Sequence, residues 1–159
     1  LGLRNAQIIS GQYASADLAL INSFVDAQVF SSRAEGWGLP LLEGLASGLP
    51  TICSFYSGQT EYLEAVKDQV RLLPYELQQV SDLGAIGQGA QGSSWAVASP
   101  DEIATALYDV YSNYASWQSS GFSASRVVRD KFSWSQDAET AIHSLQDKSI
   151  LRPEWSLQL

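Results

Sequence analysis

The run Glu35-Gly-Trp-Gly-Leu-Pro-Leu-Leu-Glu43 constrains the fold of this chain more than any other. It follows a short apolar stretch, Ala27 to Ser31, and sets a Gly-x-Gly turn ahead of Pro40. Proline suits the first turn of a helix, where its absent N–H is no loss. Glycine lets backbone approach a ligand closely. A strand, a glycine turn and a helix start in that order predict a βα unit. The helix N–H groups and their partial positive charge then favour an anion, such as a diphosphate, ahead of Leu41. Glu35 and Glu43 are separated by seven residues. The first precedes the helix and the second lies one turn inside it, so both can face one cleft.

The rest of the chain alternates in the same way. Ala6 to Ser10 is predicted as a first strand, and Ser15 as the N-cap of a helix to Phe24, with Leu18, Ile21 and Val25 at helical spacing. Ala27 to Ser31 reads as a parallel strand, and Pro40 to Ser47 as a helix closed by Gly48 as its C′ residue. In that helix Leu41, Leu42, Leu45 and Ala46 form the apolar side, which turns Glu43 away from the core. Thr51 to Ser54 is a strand, Gly58 to Lys67 a turn and helix, and Gln69 to Leu73 a strand ended by Pro74. Residues 75 to 94, with Gly84, Gly87, Gly89 and Gly92, read as a loop or insertion. Trp95 to Ala98 is a last short strand. Helices are expected from Asp101 towards Trp117, from Ala124 to Lys131, and from Ser133 to Gln146. The fold class is therefore α/β, a Rossmann-like three-layer parallel sheet with flanking helices. The domain covers residues 1–147, followed by a tail at 148–159 that lacks clear periodicity.

Composition narrows the partners. At 159 residues the chain is one ordinary domain, large enough to bury about 70% of its unfolded surface. A net charge of −8 argues against a nucleic-acid surface or a polybasic membrane patch. No apolar run is long enough to span a bilayer. Cys53, the lone cysteine, excludes an internal disulfide and a cysteine-based zinc cluster, and its setting Leu49-Pro-Thr-Ile-Cys-Ser54 reads as a buried strand with a core thiol. Leu1 stands where a Met or a signal peptide would begin, so the chain is expected to be an excerpt of a longer protein.

Four segments carry a resemblance. Glu35 to Thr51 resembles the E-x7-E signature of the retaining glycosyltransferase family four, the "group 1" glycosyltransferases of GT-B fold. Ser54-Phe-Tyr-Ser-Gly-Gln-Thr-Glu-Tyr62 resembles that family's Ser-Asn-x-Ser-Gly-x-x-Glu turn, Trp95-Ala-Val-Ala-Ser-Pro-Asp101 its Trp-Ala-x-Pro-Asp stretch, and Phe132-Ser-Trp134 its Phe-Ser-Trp near the domain end. The landmarks stand in family order, and the resemblance implies the C-terminal, nucleotide-sugar-binding half of a GT-B enzyme.

The resemblance also implies roles. Glu43 matches the second glutamate, which holds the ribose hydroxyls of the nucleotide; an ionised carboxylate can accept from two vicinal hydroxyls. The competing reading is a surface glutamate on an exposed helix face. Glu35 matches the first glutamate, beside the transferred sugar, where it would hold a hydroxyl and steady the positive charge developing at the anomeric carbon. Gly36, Trp37, Gly38 and Leu39 supply turn N–H groups for a donor hydroxyl or a diphosphate oxygen, with Trp37 replacing the more usual Phe and serving chiefly in packing. Gly58 and Glu61 either line the same cleft or form a turn and cap. Arg33 is read as a salt bridge or a ligand contact, and His143 as a surface residue. No metal and no cofactor beyond the nucleoside-diphosphate sugar is expected.

Relatives also carry an Arg and a Lys that clamp the diphosphate, and no such basic pair precedes the motif here; Arg4 stands alone. Helix-terminus amides contribute about 0.3–2 kcal/mol, less than two charged contacts of about 1.5–3 kcal/mol each. The chain as it stands is therefore expected to be inactive without an N-terminal GT-B domain, and an uncovered sheet edge is expected to favour self-association. The acceptor is unknown. The expected location is the cytoplasm, or the inner membrane face through the other half. A second reading is a non-catalytic Rossmann-like binding or assembly module.

Overall fold

The computed structural model of this chain describes residues 5–80 and 92–147. The order of elements is α1 (Ser15–Phe24), β1 (Gln28–Phe30), α2 (Leu39–Ala46), β2 (Thr51–Ser54), α3 (Thr60–Glu64), β3 (Arg71–Leu73), β4 (Glu76–Gln79), β5 (Ser94–Val97), α4 (Pro100–Ser112), α5 (Tyr114–Lys131) and α6 (Trp134–Asp147). Single 3₁₀ turns precede α3, at Ser57–Gln59, and β3, at Lys67–Gln69.

Strands β1, β2 and β3 form a parallel sheet in sequence order, with Val29 opposite Ile52 and Cys53 opposite Leu72. Strand β2 is central and fully buried, as the run Thr-Ile-Cys-Ser requires of a strand covered on both faces. Alternation splits it between two cores. Cys53 packs with Leu41, Leu45, Tyr62, Leu63, Ala124 and Val128 beneath α2, α3 and α5. Ile52 packs with Leu73, Ala106 and Val110 against α4. Helices thus lie on both faces of a parallel sheet, the three-layer α/β arrangement expected.

The Cys53 thiol is pushed up to about 12 by burial alone, consistent with a core thiol. Arg71 on β3 donates to Asp109 on α4 at 2.9 Å and pins that helix to the sheet. Ser99 caps α4 by accepting from Glu102 N, ahead of Pro100 at the first helical position.

Several expectations are corrected. Residues 6–10 form no strand: Ile8 and Ile9 are 91% and 59% exposed, and no strand among the described residues lies beside them. Helix α1 forms where its pattern predicts but buries none of its residues, and its N-cap is Ala14, with Asp17 accepting from the Ala14 N–H. Part of the expected loop at 75–94 is strand β4, antiparallel to β5, so Trp95 belongs to a separate two-stranded ribbon and not to the parallel sheet. The predicted Gly84, Gly87 and Gly89 lie outside the described residues, as does the tail at 148–159. The helix expected from Asp101 towards Trp117 is α4, ended at Asn113, and the one expected at 124–131 is the second half of an 18-residue α5. No helix among the described residues is long and apolar enough to cross a membrane.

Candidate functional site

The loop from Ser31 to Gly38 joins the C-terminal end of β1 to α2, the place where open parallel sheets hold their ligands. Gly38 is the N-cap of α2 with φ +77°, a left-handed backbone that suits glycine. A Cβ there would lie 3.0 Å from the Tyr62 hydroxyl and 3.3 Å from Gln59 Oε1. The Gly38 carbonyl accepts from the N–H groups of Leu41 and Leu42, which starts the helix. No side chain caps this N-terminus. Pro40 has no N–H and those of Leu41 and Leu42 are taken, so in the first turn the Leu39 amide is the one left for an outside acceptor.

A second turn clamps the loop from beneath. Glu35 N–H donates to Ser57 Oγ at 2.8 Å, Ser57 Oγ donates back to Glu35 O at 3.0 Å, and Gly58 N–H donates to the same carbonyl at 3.1 Å. Gly58 is required by contact: a Cβ on it would run into the carbonyl oxygen of Gly36. Tyr62, fully buried, donates its hydroxyl to Gly38 O at 3.1 Å, and its ring meets the Trp37 ring edge-on at 5.5 Å. The Tyr62 hydroxyl is pushed well above its ordinary pKa by burial, then by the charges of Cys53 and Glu35, so it stays a donor. Gln59 Nε2 donates to Ser54 O at 2.6 Å, while its Oε1 is buried without a hydrogen-bond partner.

The two carboxylates differ in setting. Glu35 is half-buried, and its Oε1 accepts from Ser32 Oγ at 2.6 Å. Glu43 is exposed on α2, on the side opposite buried Leu41 and Leu45, and lines a cavity of about 590 Å³. Trp37, Leu39, Leu42 and Ala46 share that cavity with Val128, Phe132, Trp134 and Asp137. Trp37, Leu39 and Glu43 are thus brought together, whereas Glu35, Gly36, Gly38, Gly58 and Glu61 do not line this cavity. Glu35 through Gly38 form the turn beside it. Glu61 is exposed in the first turn of α3, where an acidic residue favours the helix dipole. Gly58 contributes to the turn through its N–H bond to Glu35 O, and α3 has no side-chain cap hydrogen bond.

Among the described residues Arg33 forms no salt bridge. Its guanidinium lies 5.1 Å from the centroid of the Trp95 ring, and its carbonyl accepts from Ala96 N, which ties β5 to the loop. Arg129, at the cavity rim, donates Nε to Ala46 O at 2.7 Å, so it binds the C-terminal end of α2. His143 Nδ1 lies 2.9 Å from Glu139 O on exposed α6, a surface setting. Sequence reasoning missed Ser57, Gln59 and Tyr62. The Ser-Gly-x-x-Glu turn was visible, but the loop it would hold lies 22 to 24 residues earlier.

Comparison with known proteins gives a family. The family described as glycosyl transferases group 1 matches residues 1–82, just over half of the chain, a span that includes both carboxylates and the clamping turn. The mannosylfructose-phosphate synthase of Agrobacterium fabrum (strain C58 / ATCC 33970) is 40% identical over 58 residues, which are 36% of this chain and 13% of that protein. The chain therefore aligns with a small part of that relative's length. No solved structure matches it.

Proposed function

Because the chain belongs to the glycosyl transferases group 1 family, we propose that it is the donor-binding domain of a retaining enzyme that moves a sugar from a nucleoside diphosphate to an acceptor. The uncapped N-terminus of α2, set between Glu35 and Glu43, carries this reading. A diphosphate brings oxygens that can accept from Gly36 to Leu39 amides, and the helix end favours their charge. Glu43, free at the cavity, then accepts from the ribose hydroxyls. Each such charged hydrogen bond contributes about 1.5–3 kcal/mol. Glu35, aimed by its backbone clamp, sits by the sugar and stabilises positive charge at the anomeric carbon. Its carboxylate holds a hydroxyl and is not assigned as a nucleophile. No metal is assigned a role.

Donor binding by this chain alone is weak in this account, and transfer is absent. Arg33 and Arg129 are turned to Trp95 and to Ala46, which leaves the diphosphate to helix amides worth about 0.3–2 kcal/mol. A chain of net charge −8 adds general repulsion. A second GT-B half supplying acceptor and cationic contacts completes the enzyme. Cytosolic supply of sugar nucleotides places it in the cytoplasm.

Calorimetric titration with UDP-, GDP- and ADP-sugars tests the reading, with mannose conjugates included because the similar synthase is named for a mannosyl product. Millimolar or tighter binding that is lost in Glu43→Ala supports it. No binding to any donor, or binding that Glu43→Ala leaves intact, contradicts it and favours a module that keeps the fold for assembly.

A further inference from the structure

Ser57 is the one non-glycine with positive φ among the described residues, at +61°. That left-handed backbone is disfavoured for a residue with a Cβ, and it persists only where surrounding contacts hold it. Glycine would adopt it freely but would bring no hydroxyl. The hydroxyl is what the turn uses. From this position Ser57 Oγ accepts from Glu35 N–H and donates to Glu35 O, at 2.8 and 3.0 Å. Both backbone polar groups of Glu35 are thereby fixed by one side chain, and Gly58 N–H adds a further donor to the carbonyl. The Ser57 hydroxyl makes no contact with the Glu35 carboxylate, which is held separately by Ser32.

Glu43 depends on none of this. It rides on α2, whose Leu41 and Leu45 are anchored in the core. The two carboxylates are thus positioned by separate devices, one by a strained serine and the other by a packed helix.

We propose that Ser57 is a positioning residue that orients Glu35 toward the sugar of the donor, an assignment that rests on the donor reading above. Loss of its hydroxyl frees the Glu35 backbone to rotate and blurs the direction of its carboxylate. Recognition of the sugar falls, whereas recognition of the nucleotide through Glu43 stays.

Ser57→Gly tests this, because it removes the hydroxyl and the backbone strain together and so preserves the fold. Hydrogen exchange is measured on the full chain at the Glu35 and Gly58 amides, and titrations compare UDP with UDP-glucose and GDP with GDP-mannose. The expected result is roughly tenfold faster exchange at Glu35 with α2 amides unchanged. The gain in affinity from the sugar should disappear, while affinity for the bare nucleoside diphosphate stays within about twofold. Equal losses for nucleotide and nucleotide sugar overturn the assignment, as does unchanged exchange at Glu35. Wild-type protein that binds none of the four ligands overturns the donor reading and the role of Ser57 with it.

Discussion

The two ends of β1 face different surroundings. At its C-terminal end the chain enters a loop gripped by Ser57, Gly58 and Tyr62, then a helix whose Leu41 and Leu45 are fully buried. At its N-terminal end lie α1, which buries no residue, and a segment with Ile8 at 91% and Phe24 at 81% exposure. Both stretches carry apolar residues at suitable spacing. Only the first is buried by its partners; among the described residues α1 buries none of its own, and it meets Ser47 through Asn22 at 3.5 Å. Amphipathic pattern alone thus specifies a helix without giving it a place in the core, and what makes the loop rigid is contact with a distant turn. A functional loop needs that rigidity, because a ligand contact displaced by a fraction of an ångström loses much of its worth.

Changes in the gripped region should be severe. Leu41→Ala removes a fully buried side chain beside Cys53 and Tyr62 and should cost about 2–5 kcal/mol in denaturant unfolding. Gly58→Ala should cost about 1–3 kcal/mol, because its Cβ displaces the Gly36 carbonyl, and donor binding should be lost with it. Tyr62→Phe keeps the ring against Trp37 but strips a hydrogen bond from Gly38 O, a loss of about 1 kcal/mol readable in thermal unfolding.

The outer elements should respond less. Asp109 is held below the usual carboxylate range by the Asn113 amide first and by Arg71, against an opposing effect of burial. Its folded pKa is lowered, so its contribution is present above the unfolded value of 3.8 and is lost as pH falls through the folded one. Asp109→Asn should therefore lower stability most in the neutral region, flatten the acid limb of a stability–pH profile, and leave the region below the folded pKa least altered.

Smallest of all, Phe24→Ser should shift stability by no more than about 0.5 kcal/mol. Its readout is sedimentation: among the described residues β1 is an edge strand of the parallel sheet, and the exposed apolar residues beside it favour association between chains. Wild-type protein should associate with rising concentration and Phe24→Ser less so. A monodisperse wild-type monomer at tens of micromolar would remove this half of the comparison.

What the sequence revealed follows the same division. Local chemistry was legible: Pro40 and Gly48 bracket α2 to within a residue, and the setting of Cys53 marked β2 as a buried strand. Glu43 could be turned outward by helical spacing alone. Misreadings arose where local pattern and tertiary partners diverge. Ile8 and Ile9 look like a strand, yet no strand among the described residues lies beside them. Glu76–Gln79 look like a loop because all four residues are exposed and polar ones dominate, but backbone pairing to β5 makes them a strand. A break was expected between Trp117 and Ala124, where Gly121 stands inside α5. The glycine instead lets the helix pass close to the Gly48 carbonyl, which a Cβ would crowd at 2.5 Å. The site divided likewise: the carboxylates were visible in the motif, and the Ser57 and Tyr62 contacts that shape it were not, since they join residues 22 and 24 positions apart.

The most direct test of the central claim is an amide chemical-shift map of the chain titrated with a nucleoside-diphosphate sugar. This account predicts that the shifts concentrate at Glu35 to Glu43, strongest at the Gly36 to Leu39 amides, and vanish in Glu43→Ala. Shifts gathered instead at the cleft of about 440 Å³ lined by Tyr75, Glu76, Val97 and Glu102 would contradict it.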